Sequence, residues 1–224
     1  MSTAPLAPHL LFPLEALCYD IAAGVTFSAI YNSTDSANQN AFALRVSVSG
    51  GSYGYWNGTD FSSASVVWNA VATPDTGMFF VSVPAGVLAN GHVYNWSFAS
   101  QESGANLKGV FATDSTFTSQ AAPTVTVTAP TGSIALIEPT VTWSETLAPS
   151  ASQTFYRVVV ESGAYGVIPF SGTSVWDSGV VPSAALSAVV GGDLANGVTY
   201  RVFVVITETG GQASAWGYNT FTVT

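Results

Sequence analysis

Charged side chains are scarce in this chain, and basic ones are the scarcest. Four Lys or Arg stand against thirteen Asp or Glu, which gives a formal net charge of −9. Nucleic acids and anionic membrane surfaces are held by clustered basic side chains, which this chain does not have in its sequence. We therefore expect no nucleic acid among its partners.

Cysteine and long apolar runs are also lacking. Cys18 is the only cysteine, so an intrachain disulfide is excluded. No apolar run approaches the roughly eighteen residues of a membrane span, so we expect no membrane insertion. Residues 1–20 contain three prolines and Glu15 but no Lys or Arg. This pattern does not fit a secretory signal peptide.

Helical periodicity is missing as well, because apolar residues nowhere recur convincingly at helical spacing over three turns. From about Gly24 onward the chain consists of short stretches such as Ala41–Gly50 and Met78–Gly86, separated by Gly, Asn, Asp or Pro. Val, Thr and aromatic residues, which suit half-buried strands, are frequent in them. Many short strands at this spacing indicate an all-β protein made of antiparallel β-sandwiches.

One heptapeptide occurs twice. LANGHVY occupies Leu88–Tyr94 and LANGVTY occupies Leu194–Tyr200, a shift of 106 residues. Four further pairs of stretches match in the same order: GVTF with PTVTW, Gln39–Val46 with Gln153–Val158, SVVWN with TSVWD, and TFTS with TFTV. A shift of this length is one domain. The sequence therefore predicts a duplicated sandwich, with domains at 21–119 and 125–224 joined by a short linker at 120–124.

The repeated heptapeptide resembles the start of strand F in fibronectin type III domains. In that family the leucine plugs the bottom of the core and the tyrosine forms a tyrosine corner, with its hydroxyl bonded to backbone upstream. The resemblance implies these roles for Leu88 with Tyr94 and for Leu194 with Tyr200. It also implies a core tryptophan at Trp143, with Phe27 in the same place in the first half. VWDSGVV (Val175–Val181) resembles a stretch of bacterial and phage modules of this type.

Residues 1–20 show no counterpart in the second half and are predicted to be an extended, apolar arm. Six large apolar side chains carry this prediction: Leu6, Leu10, Leu11, Phe12, Leu14 and Leu17. A free tail is normally polar. The sequence leaves open whether the arm packs on its own chain or on another. We expect it to extend from the first domain and to bury these side chains on another subunit.

No catalytic or metal-binding pattern is present, and we expect no enzyme and no cofactor. His9 and His92 have no motif around them, and nothing in the sequence places a histidine beside Cys18. There is no CxxC, HExxH or DxDxDG stretch. Aspartates occur in turns of the first half, where they suit Asx turns, and incidental calcium binding there is left open. These aspartates are Asp35, Asp60, Asp75 and Asp114.

Aromatic side chains cluster in the glycine-rich turn Gly50–Gly58, which carries Tyr53, Tyr55 and Trp56. The corresponding turn in the second half, Gly163–Gly172, carries Tyr165 and Phe170. Such side chains serve recognition because they offer large contact area at low entropic cost. They equally often pack over the edge of a sandwich, and the sequence does not decide between binding and packing.

Two functions fit these observations. The first is a structural subunit of a tailed-bacteriophage virion, in the tail or on the capsid surface, assembled in the host cytoplasm. Its partners would be other virion proteins and further copies of itself, with a host-surface glycan as a further ligand. The alternative is an extracellular adhesive or carbohydrate-binding accessory module, with Trp56 and its neighbours as the sugar platform.

Overall fold

The computed structural model describes residues 3–15, 17–33, 38–75, 77–163 and 172–224, with the backbone alone at residues 72–75. The chain divides into two compact units, Met1–Ala121 and Ala122–Thr224. The described residues contain strands and turns and no helix that could span a membrane.

Nine strands make up the first unit: β1 (His9–Phe12), β2 (Cys18–Tyr19), β3 (Val25–Ile30), β4 (Gln39–Val48), β5 (Gly54–Tyr55), β6 (Asn69–Asp75), β7 (Met78–Val83), β8 (His92–Glu102) and β9 (Ser115–Ser119). One sheet has the order β1-β3-β7. The other has the order β2-β9-β8-β4-β5, with β6 beside β4. The two sheets enclose a core of large aromatic side chains.

Eight strands make up the second unit: β10 (Thr124–Ala129), β11 (Gly132–Ile134), β12 (Thr140–Thr146), β13 (Gln153–Ser162), β14 (Thr173–Asp177), β15 (Ser187–Val189), β16 (Thr199–Glu208) and β17 (Gly217–Val223). Its sheets have the orders β10-β12-β15 and β11-β17-β16-β13-β14. The order repeats that of the first unit, except that β14 alone lies beside β13 where β5 and β6 both lie beside β4.

The two cores place their tryptophan on different strands. In the first unit Phe27 of β3 contacts Trp96 of β8 edge to face, with ring centroids 5.2 Å apart. In the second unit Trp143 lies on β12, the counterpart of β3, but not at the position of Phe27. Trp143 pairs with Val127 beside the register break of β10, as Ala29 pairs with Leu10 beside that of β1, which corrects the expectation that Phe27 and Trp143 occupy the same place. The Trp143 ring contacts Tyr156 of β13, with ring centroids 5.1 Å apart, and its indole donates to Gln153.

The N-terminal segment is part of the first sandwich, which corrects the expectation of an arm at 1–20. β1 pairs antiparallel with β3, and β2 pairs parallel with β9. Leu10 and Phe12 pack against the core of their own unit, and Leu11 is half-buried. The other three apolar side chains, Leu6, Leu14 and Leu17, are exposed. Backbone pairing and core contacts therefore hold the segment on its own chain.

The same segment does have a counterpart in the second half, contrary to the sequence-based expectation. β10 pairs antiparallel with β12, and β11 pairs parallel with β17, as β1 and β2 do in the first unit. A cis peptide bond to proline follows each first strand, at Phe12-Pro13 and at Ala129-Pro130. The first strand of each sandwich thus crosses from one sheet to the other at a proline.

Candidate functional site

The two repeated tyrosines form the same corner in both sandwiches. The hydroxyl of Tyr94 donates to the carbonyl oxygen of Ala89 and accepts from its amide, both at 3.0 Å. The hydroxyl of Tyr200 accepts from the amide of Ala195 at 2.8 Å and lies 3.5 Å from its carbonyl oxygen. Both rings are buried. The repeated stretch therefore fixes the turn that leads into β8 or β16.

The leucines and glycines of the heptapeptides complete this turn. Leu194 is buried, and Leu88 packs half-buried against the first core. Gly91 and Gly197 have φ of 92° and 76°, a conformation that costs glycine little. The tyrosine-corner residues are thus structural parts of the sandwiches, and they offer no reactive group to solvent.

The two glutamines that begin a matched pair of stretches, Gln39 and Gln153, each lie opposite a glutamate that the sequence comparison does not include. Gln39 faces Glu102 across β4 and β8, and Gln153 faces Glu208 across β13 and β16. All four side chains are buried. The signal was present, because each glutamate follows its corner tyrosine by eight residues, at the end of a strand. A buried glutamate at a fixed distance from a repeated motif marks a loop anchor.

The glutamates hold the loops that follow or flank their strands. Glu102 accepts hydrogen bonds from the amides of Gly104 and Ala105 at 2.6 Å and from that of Leu107 at 3.1 Å. Glu208 accepts from the amide of Ala148 at 3.3 Å. Three amide donors satisfy the Glu102 carboxylate, so its role is to order the loop.

Glu208 also acts on a neighbouring carboxyl group at the end of β12. One carboxyl oxygen of Glu145 is buried without a hydrogen-bond partner. Its burial raises the pKa of Glu145 above the ordinary value, and the charge of Glu208 adds to this effect. Two carboxyl groups arranged in this way favour the protonated form of Glu145.

The aromatic turn at Gly50–Gly58 serves packing at its largest residue. Trp56 is only 5% exposed and belongs to the core of the first sandwich, where its ring contacts Phe61 at 5.2 Å. It cannot act as a sugar platform, which corrects that part of the expectation. Gly54 allows the close approach, since a Cβ atom there would lie 2.2 Å from the carbonyl oxygen of Phe61.

Tyr53 is held in a charged cluster on the outer face of β4. The Arg45 guanidinium lies between the rings of Tyr53 and Phe111, 4.3 and 4.4 Å from their centroids. Asp114 accepts from Arg45 at 2.9 Å and from the Tyr53 hydroxyl. This hydrogen bond raises the pKa of Tyr53 above its ordinary value. Tyr55 lies half-buried beside Phe111, with ring centroids 6.0 Å apart.

The remaining polar candidates are dispersed. His9 and His92 are exposed on different strands, and Cys18 is half-buried in β2. The carboxylate of Asp60 accepts hydrogen bonds from Asn57 and Ser62 within its own turn. Among the described residues, no three His, Cys, Asp or Glu side chains come close enough to hold a metal ion. Four candidates lie outside the described side chains: Asp35, Asp75, Tyr165 and Phe170.

A shallow cleft of about 420 Å³ lies between β1 and the segment that leads into β9. His9, Glu15 and Asp114 are its ionisable lining residues. Both carboxylate oxygens of Asp114 are already engaged by Arg45 and Tyr53. Thr113 and Ser115 add hydroxyl groups to the lining, and no hydrogen bond joins either of them to His9 in the described part of the chain.

One end of the outer face of the sheet β1-β3-β7 carries large apolar side chains that are open to solvent. Ile30 and Met78 face each other across β3 and β7, and they are 37% and 50% exposed. Phe80, two residues further along β7, is 61% exposed. We call Ile30, Met78 and Phe80 the apolar face. Large apolar side chains grouped on an exposed surface are typical of interaction sites.

Comparison with known proteins agrees with this architecture. Residues 122–224 match the family model described as Rha78A-like, N-terminal immunoglobulin domain. No curated protein sequence matches the chain. The protein is thus built of immunoglobulin-like sandwiches of the fibronectin type III kind, which confirms the predicted fold class.

Solved structures resemble the chain over nearly its whole length. The fibronectin(III)-like modules of Clostridium thermocellum CbhA align with a TM-score of 0.51 at 11% identity, over 96% of this chain and 93% of that one. The FN1-FN3 domains of chicken CNTN1 align with a TM-score of 0.51 at 12% identity, over 99% and 69%. At these identities the likeness shows the fold alone.

An α-L-rhamnosidase from Dictyoglumus thermophilum aligns more locally. Its TM-score is 0.40 at 24% identity, and the alignment covers 46% of this chain and 12% of that one. Immunoglobulin-like and fibronectin type III-like domains are typically non-catalytic accessory modules. The fold by itself names neither a ligand nor a partner.

Proposed function

We propose that the protein is a non-enzymatic structural subunit of a virus particle, in the tail or on the capsid surface of a tailed bacteriophage. The apolar face of the first sandwich carries this proposal. It leaves Met78 and Phe80 at least half exposed on a strand that is well ordered by its pairing with β3. A subunit that is repeated in an assembly needs such a surface.

The scarcity of charge supports the same role. Only 8% of the residues are charged, so large parts of the surface consist of Thr, Ser, Ala and Val. Uncharged surfaces of this kind can be brought together without desolvating charged groups. Assembly would proceed through sandwich edges and faces, since the N-terminal segment is occupied within its own unit.

The partners in this proposal are other virion proteins and further copies of the chain, and its location is the virion. Mass spectrometry of purified particles from the native source tests it. The chain should appear in a fixed number of copies per particle, and immunogold labelling in electron microscopy should mark the tail or capsid surface. Absence of the chain from purified particles would overturn the proposal.

A second candidate is an extracellular accessory module that binds carbohydrate. The match of residues 122–224 to an N-terminal immunoglobulin domain of the Rha78A-like kind favours it. The half-buried rings of Tyr55 and Phe111 would then contact the sugar, because Trp56 is buried. A host-surface glycan bound by a virion protein would use the same rings.

Affinity electrophoresis in polysaccharide-containing gels separates the two candidates. An accessory module should be monomeric and retarded by glycan, and Tyr55→Ala should abolish retardation while Tyr218→Ala, a half-exposed tyrosine of the second sandwich, should not. Retardation equal in both variants, or none at all in the unaltered protein, counts against the carbohydrate site.

A further inference from the structure

Strand β7 is a sheet edge without the usual protection. It runs for six residues, pairs regularly with β3 on one side, and has no strand on its other side among the described residues. Its sequence, MFFVSV, contains neither proline nor a charged residue. Its register with β3 is continuous from Val25↔Val83 to Ile30↔Met78, without a bulge. Free backbone groups along such an edge can pair with another strand.

The other described edges of the two sandwiches are blunted. β1 and β10 each have a break in register, and β6 contains Pro74. β2 and β5 have two residues each, and β11 and β15 have three. β14 has a register break and ends in Asp177. Short strands, bulges, proline and charge all disfavour pairing between edges.

The contrast between β7 and β15 is the most informative. The two strands occupy equivalent positions in their sandwiches, beside β3 and β12. In the second sandwich the strand is half as long, so it offers little backbone for pairing. The duplicated fold therefore does not require a long strand at this edge. In the first sandwich β7 is long, and no described strand of its own unit pairs with its outer side.

Electrostatics points to the kind of partner. No Asp, Glu, Lys, Arg or His occurs in Val25–Ile30 or Met78–Val83, although the chain as a whole carries a net charge of −9. A basic partner would bind to the acidic parts of the surface rather than to these two uncharged strands. A second copy, which is equally acidic, is repelled elsewhere and meets no like charge on these two strands.

We propose that β7 pairs antiparallel with β7 of a second copy, around a twofold axis close to Phe80. Because antiparallel strands related by a twofold axis present the same edge to each other, one strand suffices for both halves of the contact. The two three-stranded sheets would join into one sheet of six strands. The Phe80 side chains of the two copies would then meet on its outer face, beside Met78 and Ile30.

This inference deepens the proposed structural role and rests on it for the identity of the partner. A subunit present in many copies meets its own kind at high local concentration. A single strand pair with a few flanking side chains is a small interface. We therefore expect a dissociation constant on the order of 10–100 µM in free solution.

Sedimentation velocity of the full chain, from micromolar to near-millimolar concentration, tests the proposal. The unaltered protein should shift from monomer to dimer. Phe80→Lys and, independently, Met78→Lys should raise the dissociation constant at least tenfold. Both side chains are at least half exposed in the monomer, so either change should leave the fold intact. Circular dichroism of each variant checks this.

Val110→Lys is the matched control, because Val110 is 69% exposed in the same unit but lies outside the sheet β1-β3-β7. It should dimerise like the unaltered protein. Amide hydrogen exchange adds a direct readout, since the β7 amides should become more protected as concentration rises. A chain that stays monomeric, a dimer insensitive to both β7 variants, or a dimer equally weakened by Val110→Lys would overturn the proposal.

The two proposals fail separately. If the dimer forms through β7 but the chain is absent from purified particles, the strand pairing stands and the virion role falls. If the chain is present in particles and Phe80→Lys is incorporated at the normal copy number, the virion role stands and the pairing falls.

Discussion

Tyr94 and Ala89 are joined by two hydrogen bonds between one hydroxyl group and one residue's backbone, each 3.0 Å long. The hydroxyl donates to the carbonyl oxygen and accepts from the amide, so it satisfies both backbone groups of a turn residue. The shape of the turn before β8 thus depends on a single phenolic oxygen.

Removing that oxygen gives the first prediction. Tyr94→Phe and Tyr200→Phe should each lower the free energy of unfolding by about 1 kcal/mol, because the ring stays packed while the hydrogen bonds are lost. Chemical denaturation followed by circular dichroism measures the effect. Tyr218→Phe, at a half-exposed tyrosine, is the control and should be close to neutral. Equal losses at all three positions would contradict a special role for the corners.

Trp143 carries the second prediction. Trp143→Ala should cost about 3–5 kcal/mol, since it opens a cavity in the second core. It also leaves the Gln153 amide oxygen, which accepts from the indole at 3.2 Å, without that donor. Leu136→Ala, at an exposed position of the same sandwich, should change stability by less than about 0.5 kcal/mol. A loss at Trp143 no larger than that at Leu136 would show that the ring does not fill the core.

The N-terminal segment gives the third prediction. Phe12 contacts Tyr19 edge to face, with ring centroids 5.0 Å apart, and packs against the first core. Phe12→Ala should therefore destabilise the chain by about 2–3 kcal/mol even in dilute solution, where no second copy is bound. Leu14→Ala, in the same segment but exposed, should be nearly neutral. If Phe12→Ala destabilised the chain only at high protein concentration, the result would instead support packing of this segment on another subunit.

Glu145 gives a prediction on pH. Burial and the charge of Glu208 raise the pKa of Glu145 above its ordinary value of 4.5, so the folded chain binds this proton more tightly than the unfolded chain. The stabilising contribution is complete below that ordinary pKa and is lost as the pH rises through the raised pKa of the folded state. Glu145→Gln should therefore raise the melting temperature at neutral pH and lose this advantage in acid. A gain that does not vary with pH would contradict the raised pKa.

Asp177 should behave in the opposite way. Hydrogen bonds from Arg157, at 3.0 and 2.5 Å, hold the pKa of Asp177 below its ordinary value, and a bond from the Gly179 amide adds to this. Its contribution is present above the ordinary pKa of 3.8 and is lost as the pH falls through the lowered pKa. Asp177→Asn should lower the melting temperature at neutral pH, and the difference should shrink in strong acid. Thermal melts from neutral pH to strong acid measure the melting temperature of both variants. At neutral pH, Glu145→Gln should raise it and Asp177→Asn should lower it.

The fold could be predicted from the sequence because the patterns that indicate it are local and occur twice. Alternating strands, glycine turns and the two heptapeptides predicted tandem sandwiches, and Tyr94 and Tyr200 lie where those heptapeptides place them. The N-terminal segment was misassigned because its strands, β1 and β2, have four and two residues and are separated by Pro13. A pattern that short gives no alternation to recognise.

The interaction surfaces were harder to predict from the sequence, because the exposure of a side chain depends on which residues pack against it in the folded sheet. Trp56 and Tyr55 are adjacent in a glycine-rich turn, yet one is buried and the other only half-buried. The free edge of β7 was equally hidden, because MFFVSV has the alternation of any strand with one face in a core. Only the strand order shows that nothing described pairs with its outer side.

The different placement of the core tryptophan, on β8 in one sandwich and on β12 in the other, has a consequence for the exchange of strands between the two halves. The indole that fills each core comes from a different strand, so a hybrid with β3 and β16 would contain neither tryptophan and one with β12 and β8 would contain both. Each half therefore depends on its own combination of strands. In chimaeras of the two halves, β3 with β8, or β12 with β16, should be inherited together, and a hybrid that mixes these pairs should fold poorly.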